Sequence, residues 1–223
     1  MDFIDYADSD MMMLSLAREL GRHLREALLR RERALFAVPG GTTPGPVFDL
    51  LSAVDLDWDR VDVVPGDERW LPEDHPRSNA GLIRARLLRG KASPARLLPL
   101  WCDVATPEEG APLLAEVLDP LLPLDVALVG MGADMHTASL FPGAEGLAAA
   151  LASDAPSVLP IAAPGVPEPR VTLSARVLRD AFALHVLITG DEKRTAIERA
   201  AKLSPTEAPI AALLSKATVH WAP

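Results

Sequence analysis

The stretch Val126-Ala127-Leu128-Val129-Gly130-Met131-Gly132-Ala133-Asp134-Met135-His136-Thr137-Ala138-Ser139-Leu140-Phe141-Pro142-Gly143 decides the fold. Four apolar residues with no alternation read as a strand buried on both faces, and the glycine-rich polar run that follows reads as the loop at its carboxyl end. The same grammar recurs on either side. Ala34 to Val38 ends at Pro39-Gly40-Gly41-Thr42-Thr43, Val61 to Val64 ends at Pro65-Gly66-Asp67-Glu68-Arg69, and Ala183 to Ile188 ends at Thr189-Gly190-Asp191-Glu192-Lys193. Helical patterns fill the gaps. Met13, Leu16, Leu20, Leu24, Ala27 and Leu28 recur at spacings of three and four behind a cap at Ser9 or Asp10. Thr42-Thr43-Pro44 opens a second helix, Ser78 caps a third through Leu88 with Gly90 closing it, and Thr106-Pro107 starts a fourth. Val171 to Leu173 predicts a short strand leading into a helix at Ser174, and Glu192 to about Leu203 a longer helix. A helix over 207–214 and a strand over 217–221 close the chain. Strands alternating with helices predict an α/β fold with a mostly parallel sheet. In such sheets ligands bind beyond the carboxyl ends of the strands, so the four glycine-bearing turns are expected to meet at one pocket.

Composition narrows the class of ligand. A chain of 223 residues fits a single domain over 1–223. With 49% hydrophobic and 24% charged residues it has the makings of a packed core. Its net charge of −9 argues against nucleic acid and anionic membranes as partners, so an anionic ligand needs a local basic pocket. The acidic opening Met-Asp-Phe-Ile-Asp is unlike a signal or transit peptide, and no apolar run reaches the roughly 18 residues of a membrane helix; a cytoplasmic protein is expected. Cys102 is the single cysteine, which excludes an internal disulfide. The histidines lack metal-ligand spacing and no His-Glu-x-x-His occurs, so no metal and no cofactor are expected anywhere in the chain. Prolines 156, 160, 164, 167 and 169 fall in loops around an ordered apolar run at 158–161.

Each candidate residue has an ordinary reading beside the chemical one. Gly40-Gly41-Thr42 sits where free backbone N–H groups favour an anion, yet a tight turn with a threonine cap explains it as well. It has neither the lysine of a nucleotide-binding P-loop nor a dinucleotide glycine pattern. Asp67, Glu68 and Arg69 are equally compatible with a salt-bridged loop. Lys193 is less expected, because a cation at a helix N-terminus opposes the dipole, and it is one of four lysines against eighteen arginines. A phosphate contact would account for it. His23, His75, His185 and His220 read as structural. His136 follows a glycine-rich strand end beside Asp134, with hydroxyls at Thr137 and Ser139, and is the candidate general base. Ser139 lacks the Gly-x-Ser-x-Gly setting of a nucleophile.

In order along nearly the whole chain, Pro39 to Pro44, Asp67-Glu68-Arg69-Trp70, His75 to Asn79, Gly130 to Gly143, Pro169 to Leu173 and Gly190 to Lys193 resemble the 6-phosphogluconolactonase family. The resemblance implies a Rossmann-like open sheet with helices on both faces, shared with glucosamine-6-phosphate deaminases. It implies hydrolysis of 6-phosphoglucono-1,5-lactone, a small phosphorylated sugar lactone, by a monomer or weak homo-oligomer. His136 would be the catalytic base, and Asp67 would orient groups near the lactone. Arg69, Arg170 and Lys193 would bind the phosphorylated substrate, beside the turn Gly40, Gly41 and Thr42. Where the family usually has glycine before the histidine, this chain has Met135. A deaminase, whose histidine motif continues differently, and a non-catalytic sugar-phosphate-binding protein are the alternative readings.

Overall fold

The computed structural model describes residues 1–163, 165 and 167–223. Seven strands form one parallel sheet: β1 (Asp2–Asp5), β2 (Ala34–Val38), β3 (Val61–Pro65), β5 (Arg96–Leu97), β6 (Val126–Gly130), β9 (Ala183–Thr189) and β10 (Ala217–Ala222), ordered β1-β10-β9-β6-β2-β3-β5. Three more, β4 (Asp67–Arg69), β7 (Val158–Ile161) and β8 (Arg170–Leu173), form a small antiparallel sheet ordered β4-β8-β7. The helices are α1 (Ser9–Leu28), α2 (Gly45–Leu51), α3 (Asn79–Arg86), α4 (Pro107–Leu118), α5 (Leu147–Leu151), α6 (Ala175–Arg179), α7 (Asp191–Ala200) and α8 (Ala211–Leu214).

Side chains on successive strand residues point to opposite faces, and the central strands bury both. Along β2, Leu35 and Ala37 join the core that packs under α4, α7 and α8, whereas Ala34, Phe36 and Val38 join the core under α1, α2 and α3. β6 divides the same way, Ala127 and Val129 against Val126 and Leu128. Full burial of each large aliphatic or aromatic side chain contributes roughly 1.5–3 kcal/mol, so these continuous apolar runs specify helices on both faces. The chain runs outward from β2 to β3 and β5, then returns to the other side of β2 as β6 and continues outward to β9 and β10. That reversal makes the crevice beyond β2 and β6 the topological switch point.

Several expected boundaries move. α1 is capped by Asp8, whose carboxylate accepts from Met11 N–H, rather than by Ser9 or Asp10. α3 ends at Arg86, and Gly90, at φ 55°, begins a separate 3-10 turn. α7 ends at Ala200. Only Ala211–Leu214 of the expected 207–214 helix forms, because Pro209 donates no N–H and interrupts the ladder. β1 carries no apolar run of its own and forms by pairing with β10 at the sheet edge. The largest correction is β4, since Asp67–Arg69 is a strand where a turn was expected. Of the loop prolines, Pro160 lies within β7 and Pro164 lies outside the described residues. No helix among the described residues is long and apolar enough to cross a membrane.

Candidate active site

At the switch point the carboxyl ends of β2, β6 and β9, together with β4 and β8, enclose a cavity of about 260 Å³. Gly40, Gly41, Asp67, Arg69, His136, Arg170 and Lys193 all line it. Thr42 does not: it is exposed, and its neighbour Thr43 lines the cavity instead. The three turns after β2, β6 and β9 therefore meet as expected. The fourth contribution comes through the small sheet, which the chain order alone does not reveal.

His136 stands on the loop after β6. Its Nδ1 lies 2.5 Å from Asp134 Oδ1, and the same oxygen accepts the His136 backbone N–H at 3.2 Å. A carboxylate on Nδ1 sets the ring's orientation and tautomer and leaves Nε2 as the nitrogen free for proton transfer. The loop folds tightly: Gly132 N–H donates to His136 C=O, and Met135 N–H to Gly132 C=O. Gly132 is needed for this closeness, because a Cβ there would sit 2.2 Å from His136 Nδ1 and Cε1. Met135 and Ala138 on either side adopt the left-handed conformation, at φ 66° and 48°. Thr137 Oγ1–H donates to Gly130 C=O, pinning the loop to the end of β6. Met135 buries its side chain in the core shared by α4, α7 and α8 and does not line the cavity, and its C=O accepts from Ile210 N–H. It fills core space rather than forming a cavity wall.

The small sheet assembles the cations. Arg69 of β4 and Arg170 of β8 are direct cross-strand partners. Arg69 Nη1 donates to Asn79 Oδ1 and Arg77 C=O, and Asn79 Nδ2 donates to Asp67 C=O. Arg170 Nη1 lies 3.5 Å from Asp67 Oδ2, which also accepts Ser139 Oγ–H at 2.5 Å. Burial draws the Arg170 pKa below the usual guanidinium value, with Asp67 opposing. The Nε atoms of Arg69 and Arg170 are buried and have no partner among the described residues. Lys193, in the first turn of α7, and Arg69 make no ion pair among the described residues, although most arginines elsewhere are matched with carboxylates. A group of positive charges with spare donors, inside an acidic protein, suits an anion.

Two of the polar candidates prove structural. Glu68 is fully buried and points away from the cavity, accepting N–H bonds from Arg69, Asn79 and Ala80 and the hydroxyl of Ser78. Burial raises its pKa, against those four donors, and it ties β4 to the start of α3. Ser139 is buried with its proton directed to Asp67, unlike a nucleophile. Two residues gain importance from the geometry. Asn79 links Arg69 to Asp67, and a Cβ on Gly40 would lie 2.0 Å from its Oδ1. The Phe141 ring lies 4.5 Å from the His136 ring and 5.5 Å from the Arg170 guanidinium carbon, touching the dyad and the cation group together. The only sequence signal for these two was their place in the motifs around Ser78 and His136.

The family model described as glucosamine-6-phosphate isomerases/6-phosphogluconolactonase matches residues 7–221. The 6-phosphogluconolactonase of Mesorhizobium japonicum is 41% identical over 98% of this chain and 94% of its own length. That of Pseudomonas aeruginosa is 42% identical over 93% and 89%. The crystal structure of a 6-phosphogluconolactonase from Shewanella baltica superposes with a TM-score of 0.96 at 32% identity, covering 100% of this chain and 97% of that one. With the motifs, the switch-point cavity and these likenesses in agreement, the chain belongs to the glucosamine-6-phosphate isomerase/6-phosphogluconolactonase family.

Proposed function

We propose that the chain hydrolyses 6-phosphoglucono-1,5-lactone to 6-phosphogluconate, with His136 as general base. The carrying observation is the single cavity that joins a His136–Asp134 dyad to the cations Arg69, Arg170 and Lys193. A lactone is an activated ester, so one base acting on water is chemically sufficient. His136 Nε2 takes a proton from a water as the oxygen attacks C1. The carbonyl oxygen becomes an oxyanion, stabilised by positive charge and backbone N–H groups of the cavity. When the C1–ring-oxygen bond breaks, the imidazolium returns its proton to the departing ring oxygen, leaving carboxylic acid and alcohol. Asp134 holds the ring and balances its transient charge. The cations hold the phosphate, remote from the reacting carbon, and so orient the sugar. Asp67 acts as a positioning residue, because its carboxylate is occupied by Ser139, Arg170 and Asn79.

Freshly prepared lactone should be converted to 6-phosphogluconate faster than its spontaneous hydrolysis, with no ammonia released from glucosamine 6-phosphate. Ammonia release would favour the isomerising deaminase instead. Binding of the product without turnover would make this a sugar-phosphate-binding protein.

A further inference from the structure

Away from the proposed catalytic group, between α1 and the strands β9 and β10, three ligand-type side chains meet: Glu19, His185 and His220, each offering an atom within 4.8 Å of the others. His185 Nδ1 is 3.0 Å from His220 Nε2, and Glu19 Oε2 is 4.0 Å from that same nitrogen. We propose that Glu19, His185 and His220 form a binding site for a divalent zinc-class ion that fastens α1 to the sheet.

The spacing is close to what such an ion needs. Zinc–nitrogen bonds of about 2.0–2.1 Å in a tetrahedron put neighbouring ligand atoms about 3.3 Å apart, so small side-chain shifts suffice. Two imidazoles and a carboxylate make a donor set that suits zinc, and a water can complete it. Behind His220, the Tyr6 hydroxyl lies 2.9 Å from Nδ1, which leaves Nε2 for the ion in the usual outer-partner arrangement. His185 is 2% exposed and turns Nδ1 toward the cluster, while its outer Nε2 has no hydrogen-bond partner among the described residues. His185 Nδ1 and His220 Nε2 share a hydrogen bond at 3.0 Å, so one proton lies between them without the ion, and binding requires that proton to move to an outer ring nitrogen.

The surrounding charges permit a cation. Arg22 faces the cluster from α1, but it is bonded to Glu26 at 2.7 Å. His23, whose ring lies 5.2 Å from that of His185, is partly exposed beside the half-buried Glu19, so the solvent-facing side of the cluster is the α1 side. Positions 19, 185 and 220 share no sequence spacing, and only the packing of α1 on the β9–β10 pair brings them together.

The test uses the full chain after chelator treatment and dialysis, titrated with Co²⁺ as a spectroscopic probe and with Zn²⁺ in thermal melts. One equivalent of Co²⁺ with visible bands of tetrahedral type is expected, and Zn²⁺ should raise the melting temperature. Glu19→Gln, at a half-buried surface position, should bind at least tenfold more weakly and lose the Zn²⁺ shift. His185→Gln should do the same, whereas His136→Ala should keep both signals. Wild type binding no more Co²⁺ than Glu19→Gln, or loss of the signals in His136→Ala with retention in Glu19→Gln, overturns the proposal.

Discussion

At His136 one carboxylate orients the ring: Asp134 binds Nδ1, and in the proposed mechanism Nε2 is the nitrogen that meets the water. His136→Ala is expected to lower kcat by roughly 10²–10⁴-fold with KM little changed. Asp134→Asn should lower kcat by about tenfold or more without affecting folding, as circular dichroism and steady-state kinetics can check. Met135 carries two opposed terms. Its φ of 66° costs roughly 1–2 kcal/mol in a residue with a Cβ, while its buried side chain fills the core shared by α4, α7 and α8. Truncating a buried methionine costs about 2–5 kcal/mol, so packing outweighs strain. Met135→Gly is therefore expected to lose stability, by about 1–3 kcal/mol in denaturant titrations. With its side chain off the cavity, kcat/KM should change by less than about tenfold. A sequence reading can anticipate the left-handed backbone from the family's glycine. Which way the methionine points depends on α8, which lies far along the chain.

Elements position what single residues cannot. The loop from Gly130 to Ser139 is held at Gly130, Asp67 and Thr172, and Gly132 lets it close over the His136 ring. Gly132→Ala should leave the helices and sheet intact but lower kcat by about 10²-fold, since a displacement of about 1 Å is enough for that loss. The cation group depends on β4 pairing with β8, and Lys193 on the N-terminal turn of α7. Lys193→Ala should raise KM for the phosphorylated lactone by about ten- to a hundredfold and change turnover of unphosphorylated gluconolactone little. Arg170→Ala is a less clean probe, because it also leaves Asp67 buried without its guanidinium. Equal losses of Lys193→Ala on both substrates would put the lysine at the reacting carbonyl. The strand character of 67–69 was illegible locally: three polar residues after a glycine look like a turn, and only a partner about a hundred residues away makes them a strand.

Over the whole molecule, acid should act through the buried histidine pair. In the unfolded chain both imidazoles titrate near 6.5, whereas in the folded chain they remain neutral down to about 3 and 4. Between those values the unfolded state binds the extra protons. Stability is thus fully present above about pH 6.5 and falls on acidification, by up to about 1.4 kcal/mol per pH unit per histidine. The groups facing the pair, Tyr6, Glu19, Arg22 and His23, leave that direction unchanged. Melting temperatures of the chelator-treated protein should drop between pH 6.5 and 4, and His185→Gln should make the drop shallower. An unchanged slope in that variant would assign acid sensitivity to the carboxylates instead.

The buried strands, most of the helices and the switch-point location could be read from the chain because each rests on local order. A continuous apolar run requires cover on both faces, and a glycine-rich turn after it exposes free backbone N–H groups. His136, with Asp134 two residues away, was legible for the same reason. Thr42 against Thr43, the burial of Glu68, the inward turn of Met135 and the Arg69–Arg170 pair were not. Each of these depends on a partner distant in sequence, and a side chain's direction is settled by the neighbour that supplies its hydrogen bond or fills its space. The Glu19–His185–His220 cluster is the extreme case: two faces that are separately ordinary, an amphipathic helix and a buried strand pair, place three donors together only when the helix docks.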